Sequence, residues 1–249
     1  GLGGRGHRLV SKALVTHPLL TCSEALAFER NLLGDDAEAE WKAMNAAGEG
    51  LADCLLRDMR ELRTIPHRPR FLFLVGKGHN GGDALVAARR LLRSIPTARA
   101  SLWPAEPWDA CKPNVQRARD ELLELAAKRV EELEPLSTLA SPEHIEATFQ
   151  NAVLGDGFHA CLDGLLGMQF QPPVREPLSH LLGFLNDRAD LGLRASVDLP
   201  SGVGDETAPS PFRADFTYAT GIAKAPLLDP ANAPFVGRIR YVDVGFFDG

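Results

Sequence analysis

Hydrophobic and polar positions follow two rhythms along this chain, and each change of rhythm marks an element. Phe71, Leu72, Phe73, Leu74 and Val75 form an unbroken apolar run bounded by Gly76. Such a run reads as a strand covered on both faces, as in a parallel sheet. Beyond it the period lengthens. Leu85, Val86, Ala88, Leu91 and Leu92 recur at helical spacing, and Arg89, Arg90 and Arg93 are left for the wet side. Gly76, Gly78, Gly81 and Gly82 lie between the two elements. Glycine admits positive φ and close approach to the backbone. The free N–H groups and dipole at a helix start attract anions. The stretch 71–92 therefore reads as a phosphate or nucleotide cradle.

The same alternation continues on both sides. Thr21–Leu33 and Asp36–Leu62 read as helices, with Thr21 and Glu24 spaced as a capping box. Their apolar stripe runs through Leu26, Leu33, Trp41, Met44, Ala47, Leu51, Cys54 and Leu55, and Gly48 and Gly50 predict close packing against a neighbour. Strands are expected at Arg99–Trp103, His159–Asp163, Arg194–Leu199, Ala214–Ile222 and Arg238–Val244. Helices are expected at Lys112–Lys128, from Ser141-Pro142 onward, and at Glu176–Arg188, the last two with proline in the first turn. Strands alternating with helices predict a mostly parallel sheet with both faces covered. The organisation expected is a flexible tail, 1–20, and one domain, 21–249.

With 249 residues, 45% of them hydrophobic, the chain can bury a large core. A formal net charge of -6 argues against general nucleic-acid binding. No apolar run approaches the ~20 residues of a membrane helix, and the start lacks the apolar core of a secretory signal. Cys22, Cys54, Cys111 and Cys161 make no C-x-x-C pair, so a reduced, cytoplasmic protein is expected.

Gly76, Gly78 and Gly81 satisfy G-x-G-x-x-G, a weak signal alone, and no Gly-Lys-Ser/Thr follows to make a P-loop. Asp83 either caps the helix or belongs to a site. His159, Cys161 and Asp163 alternate onto one strand face, where packing of the Cys and His is favoured over a metal site. Ligands of open α/β sheets sit beyond the carboxyl ends of the strands. The 76–83 loop and the turns at Asp163–Gly167 and Asp198–Gly202 all lie there. Two strand-end carboxylates, Asp163 and Asp198, facing a glycine cradle point to a site. Asn80, Asp163 and Ser201 offer oxygen atoms that suit a hard cation.

These residues resemble a known family, the YjeF N-terminal domain of NAD(P)H-hydrate epimerases. GKGHNGGDALVAARRL is similar to its G-x-G-N-N-G-G-D-G-x-x-x-A-R-x-L signature, and CLDGLLG to its V-D-A-L-F-G segment. SVDLPSGV resembles D-I-P-S-G, ADFTYATGIAKAPLL resembles A-D-x-T-x-x-F-x-x-x-K-x-x-L, and GRIRYVDVGF resembles the closing G-x-x-x-x-x-D-I-G-I. TCSEALAFERNLL and MNAAG fit the opening helices. The motifs run in family order from Thr21 to the end.

The resemblance implies a three-layer α/β/α Rossmann-like sandwich, commonly dimeric. It implies an isomerase that interconverts the R and S forms of the hydrated cofactors NADHX and NADPHX at ring carbon six. A separate ADP- or ATP-dependent dehydratase would act on the S form. By position, substrate would be held by His79, Asn80, Gly81, Gly82 and Asp83, by the loop Gly167, Met168, Gln169, Phe170, Gln171, Pro172 and Pro173, and by Asp198. A potassium ion would be held by Asn80, Asp163 and Ser201. Asp198 is the expected acid/base, with Asp163 behind it.

The chain departs from the family pattern at Lys77 for Pro, His79 for Asn, Ala84 for Gly and Gln171 for a frequent Lys or Arg. Lys77 is expected to restore the cation that Gln171 removes. Two alternatives stand beside the epimerase. One is a nucleotide-binding or interaction module that kept the fold without the chemistry. The other is an NAD-dependent dehydrogenase, for which no catalytic pair is found.

Overall fold

The computed structural model describes residues 16–153, 155 and 157–247. Its elements in chain order are β1 (Leu19–Leu20), α1 (Cys22–Leu33), α2 (Ala37–Leu62), β2 (Arg70–Val75), α3 (His79–Ser94), β3 (Arg99–Pro104), α4 (Pro113–Ala126), β4 (Val130–Glu132), α5 (Pro142–Ala152), β5 (Ala160–Gly164), α6 (Leu178–Asn186), β6 (Leu193–Val197), β7 (Phe216–Thr220), β8 (Ala223–Lys224), α7 (Ala233–Val236) and β9 (Arg238–Val242). Seven strands pair in the order β4-β3-β2-β5-β6-β7-β9, all parallel. Short β1 pairs with β8, so the last two residues of the expected tail are ordered against Ala223 and Lys224. Most of that tail lies outside the described residues. The edge strand β4 was not expected, because Val130–Glu132 is short and has an exposed, acidic end. No helix among the described residues is long and apolar enough to cross a membrane.

The apolar run of β2 is divided between two layers. Phe71, Phe73 and Val75 pack with α2, α3 and α4 on one face, and Leu72 and Leu74 pack with α5 and α6 on the other. Successive side chains of a strand point to opposite faces, so a run covered on both sides must be apolar throughout. The architecture is the three-layer α/β/α sandwich, and the expected helix starts hold except at α6, which begins at Leu178 with Pro177 as its N-cap and not in its first turn. Thr21 and Glu24 form the capping box of α1, and Asp36 caps α2 by accepting from the N–H groups of Glu38 and Ala39. A Cβ on Gly48 would lie 2.4 Å from Val86 Cβ, so that glycine lets α2 and α3 touch. Buried Asp58 secures α2 on the sheet, accepting from Tyr218 Oη at 3.0 Å and Arg240 Nη2 at 3.1 Å.

After β2 the chain builds outward through β3 and β4. After β5 it builds the other way through β6, β7 and β9. The reversal between β2 and β5 opens a crevice beyond their carboxyl ends, where α/β sheets bind ligands.

Candidate functional site

The glycine loop occupies that crevice. Helix α3 begins at His79 with Gly78 as N-cap, so Asp83 lies inside the helix and does not cap it. None of Gly76, Gly78, Gly81 and Gly82 has positive φ. Two of them serve close approach of backbone to backbone: a Cβ on Gly76 would lie 2.1 Å from Leu165 O, and one on Gly81 would lie 1.9 Å from Gly76 O, whereas one on Gly82 would meet the Met44 side chain. Gly78 alone of the four faces open space. A hollow of about 590 Å³ lies over it, lined on one side by Lys77, His79, Asn80 and Lys112 and on the other by Gly167, Met168 and Gln169. The Lys112 N–H donates to Lys77 O at 3.0 Å, and its Nζ lies 3.4 Å from His79 Nε2. Burial lowers the His79 pKa and the ammonium of Lys112 lowers it further.

Behind the loop, Asp163 is buried at the end of β5. Its Oδ1 accepts from Leu165 N and Ser201 Oγ, and its Oδ2 from Ser196 Oγ and Ser201 N, at 2.6 to 3.2 Å. Burial raises its pKa against the pull of these bonds. Ser201 Oγ also accepts from Leu166 N at 3.0 Å. Asn80 Nδ2 donates to Leu166 O at 3.0 Å and Val197 O at 3.1 Å. Asn80, Asp163 and Ser201 thus tie the three strand-end turns together. Just before β5, His159 Nδ1 accepts from Arg70 N at 3.1 Å, and on the strand Cys161 is in the core with its pKa raised by burial.

Asp198 turns the chain out of β6 with φ +64, the one positive φ at a non-glycine among the described residues. Asp tolerates this region because its short carboxylate bonds locally. Its Oδ1 accepts from Lys224 Nζ at 2.6 Å, Thr220 N at 3.2 Å and Thr220 Oγ1 at 3.3 Å. No hydrogen bond among the described residues engages its Oδ2. Lys224 also donates to Thr220 O at 3.1 Å.

A second hollow, of about 430 Å³, reaches this pair through Thr220, which bonds both residues while neither lines the hollow, and it shares His79 with the first. Glu29, Glu40, Asp83 and Thr220 face it between Leu33, Ala43, Met44, Ala47, Val244 and Phe246. Burial pushes Asp83 well above the ordinary carboxylate range, with Asp198 and Glu29 adding to the shift. Burial likewise pushes Glu29 up to about 7, although Lys224 pulls it down.

The Gly167–Pro173 loop divides. Gly167, Met168 and Gln169 border the glycine-loop hollow, whereas Phe170, Gln171 and Pro173 line a separate hollow with Glu106 and Arg175. Pro172 is half-buried beside it. Sequence reading missed Glu29 and Lys112. Glu29 stands on the inward side of α1, four residues after buried Ala25 and four before Leu33, where a single charge breaks the apolar stripe; Lys112 stands before a helix start, where most charges are solvated. No local signal marks Lys112.

A family model described as YjeF-related protein N-terminus matches residues 41–225. An NAD(P)H-hydrate epimerase of Candida albicans is 28% identical over 200 residues, 75% of this chain and 70% of its own length. A bifunctional NAD(P)H-hydrate repair enzyme of Gloeobacter violaceus is 34% identical over 185 residues, 72% of this chain but 31% of its own. The crystal structure of yeast ynu0 superimposes with a TM-score of 0.62 at 18% identity, covering 83% of this chain and 81% of that one, a likeness of fold.

Proposed function

The chain belongs to the family of YjeF-related protein N-termini, and from that premise we propose that it is an isomerase, an NAD(P)H-hydrate epimerase that interconverts the R and S forms of NADHX and NADPHX. The observation that carries the reading is a convergence at the switch point. An open glycine loop, a helix start and the Asp198–Lys224 pair meet there, in a chain whose relatives carry the epimerase name.

In this reading the pyrophosphate lies over Gly78, against the first N–H groups of α3 and within reach of Lys77 and Lys112. His79, Asn80, Gly81, Gly82 and Asp83 border the substrate from one side, and Gly167 to Pro173 from the other. Asp198, held by Lys224 through Oδ1, takes the proton of the ring hydroxyl through its free Oδ2. Asp163 holds Ser201 and the Leu165–Leu166 turn in register.

The oxygen-rich surroundings of Asn80 fit a potassium ion. Turning its amide presents Oδ1 where Nδ2 now meets two carbonyls, and buried Asp163 supplies negative charge close by. Asn80, Asp163 and Ser201 are the residues that would hold it. Bound, the ion would lock the strand-end turns electrostatically. We place the protein in the reducing cytoplasm as a homodimer, with an ADP- or ATP-dependent dehydratase consuming the S form. Its four cysteines are free thiols, in keeping with that compartment.

The test is equilibration of pure R-NADHX followed by chromatography, with and without potassium. Conversion well above the spontaneous rate, lost in Asp198→Ala, is expected. Binding of the hydrate without acceleration would replace the epimerase by a nucleotide-binding module.

A further inference from the structure

We propose that Glu29 of α1 is a catalytic residue of this site, giving a proton to the ring nitrogen of the hydrated nicotinamide while Asp198 serves its hydroxyl. The inference rests on the epimerase reading. It adds to that reading a residue outside the stretch 41–225 matched by the family model.

The hollow that Glu29 faces offers apolar walls and carboxyl-bearing edges to a ring. Its walls are mainly apolar, from α1, α2 and the segment after β9. Two carboxyls face it without a hydrogen-bond or ion-pair partner among the described residues, Glu29 from α1 and Asp83 from α3. Asp83 is only 6% exposed, and that small exposure is to the hollow. A polar group so enclosed costs free energy until a ligand supplies its partner. His79 borders both hollows, so a molecule whose pyrophosphate lies over Gly78 can carry its ring to Glu29.

The position of Glu29 is not accidental to α1. The helix is capped by Thr21 and also by Asp205, which accepts from Cys22 N at 2.7 Å and from Ser23 N and Ser23 Oγ at 3.0 Å. Asp205 closely follows the turn that carries Asp198, so one loop fixes both carboxylates.

The charged groups around Glu29 are Glu40 on α2, His79 and Asp83 on α3, Asp198 after β6 and Lys224 on β8. Lys224 bonds directly to Asp198 and reaches Glu29 only through its field, which the burial of Glu29 outweighs. Two carboxyls whose surroundings separate them in this way divide into proton donor and proton acceptor.

The step balances without any added reagent. Asp198 takes the hydroxyl proton, the carbon–oxygen double bond forms at ring carbon six, and the bond from that carbon to the ring nitrogen breaks. Its electron pair goes to the nitrogen, which takes the proton of Glu29. The open-chain aldehyde rotates and the nitrogen adds to the other carbonyl face. Its proton returns to Glu29, and the new hydroxyl recovers the one on Asp198.

The experiment compares wild type, Glu29→Gln and Glu29→Asp in the R-NADHX assay across pH, with thermal unfolding as the check on folding. Glu29→Gln should lower kcat by about 100-fold or more with KM changed by no more than about threefold. Wild-type kcat should fall as pH rises through about 7, where Glu29 loses its proton. That fall should vanish in Glu29→Gln and persist in Glu29→Asp, which keeps a carboxyl one carbon back. Wild-type kcat in Glu29→Gln, or an unchanged pH profile, overturns the assignment of Glu29 and leaves the epimerase standing. If Glu29→Gln does not fold, loss of the limb in Glu29→Asp overturns it. A wild type without acceleration overturns the epimerase reading and this inference together.

Discussion

Lys224 Nζ lies 2.6 Å from Asp198 Oδ1, and the two residues are 1% and 3% exposed. The pair closes two turns at the end of the sheet and leaves the second oxygen of Asp198 free. Removing one partner of such a pair strands a buried charge, which costs about 3–5 kcal/mol. Lys224→Met should therefore lower the urea midpoint strongly at constant m. The double variant Asp198→Asn/Lys224→Met should recover part of that loss while remaining inactive. Equal stability of the single and double variants would contradict a charge-pair role.

The glycines of the loop separate into two classes. Gly81→Ala forces a methyl group onto Gly76 O, and overpacking of this kind costs about 1–3 kcal/mol or more. Gly78→Ala meets no atom within 4 Å and has φ -107, which any residue adopts. Its stability should stay within about 0.5 kcal/mol of wild type, while its affinity for the substrate falls because the methyl enters the hollow. Thermal unfolding and substrate titration on both variants check the contrast.

Stability should depend on pH through Glu29. Its folded value of about 7 lies above the ordinary 4.5, so the folded chain binds more protons than the unfolded chain between those values. Stability falls as pH rises through that window and levels off above it. Buried Asp83 acts in the same direction. Glu29→Gln should be more stable than wild type at pH 8 and equal to it below pH 4.5. Denaturant midpoints at the two ends measure this, and a parallel pH dependence in both proteins would exclude the assignment.

Lys77 and Lys112 are exposed and flank the open side of the glycine loop. Exposed charge contacts contribute about 0.2–1 kcal/mol each, so each Lys→Ala should weaken ADP-ribose, a probe with the same pyrophosphate, by about two- to fivefold. The double variant should also lose most of the salt dependence of binding. A salt dependence unchanged from wild type would remove both lysines from the anion site.

Much of the site was legible because its signals are local. The capping box of Thr21 and Glu24, the apolar run at 71–75 and the carboxylates closing β5 and β6 depend on neighbours a few residues away. The spacing of 76–83 likewise marked a helix start. It did not reveal why the glycines are there, since the atoms Gly76 excludes belong to Leu165. Asp83 read as a site residue or a helix cap until the start of α3 at His79 put it inside the helix.

Periodicity alone determined the α/β class, the order of helices and strands and the strand ends at which polar groups gather, because each follows from the rise and twist of a few consecutive residues. Tertiary structure decided the reversal between β2 and β5, the hidden edge strand β4, and the company each carboxyl keeps. Asp198 acquires Lys224 through the meeting of β7 and β8, Asp163 acquires Ser201 across two turns, and Glu29 is carried to the hollow it shares with Asp83 on a helix that Asp205 caps. Charge and solvation vary with distance through space, which residue spacing does not encode, so identical carboxyl groups became a paired anion, an enclosed brace and a weak acid only when the chain folded.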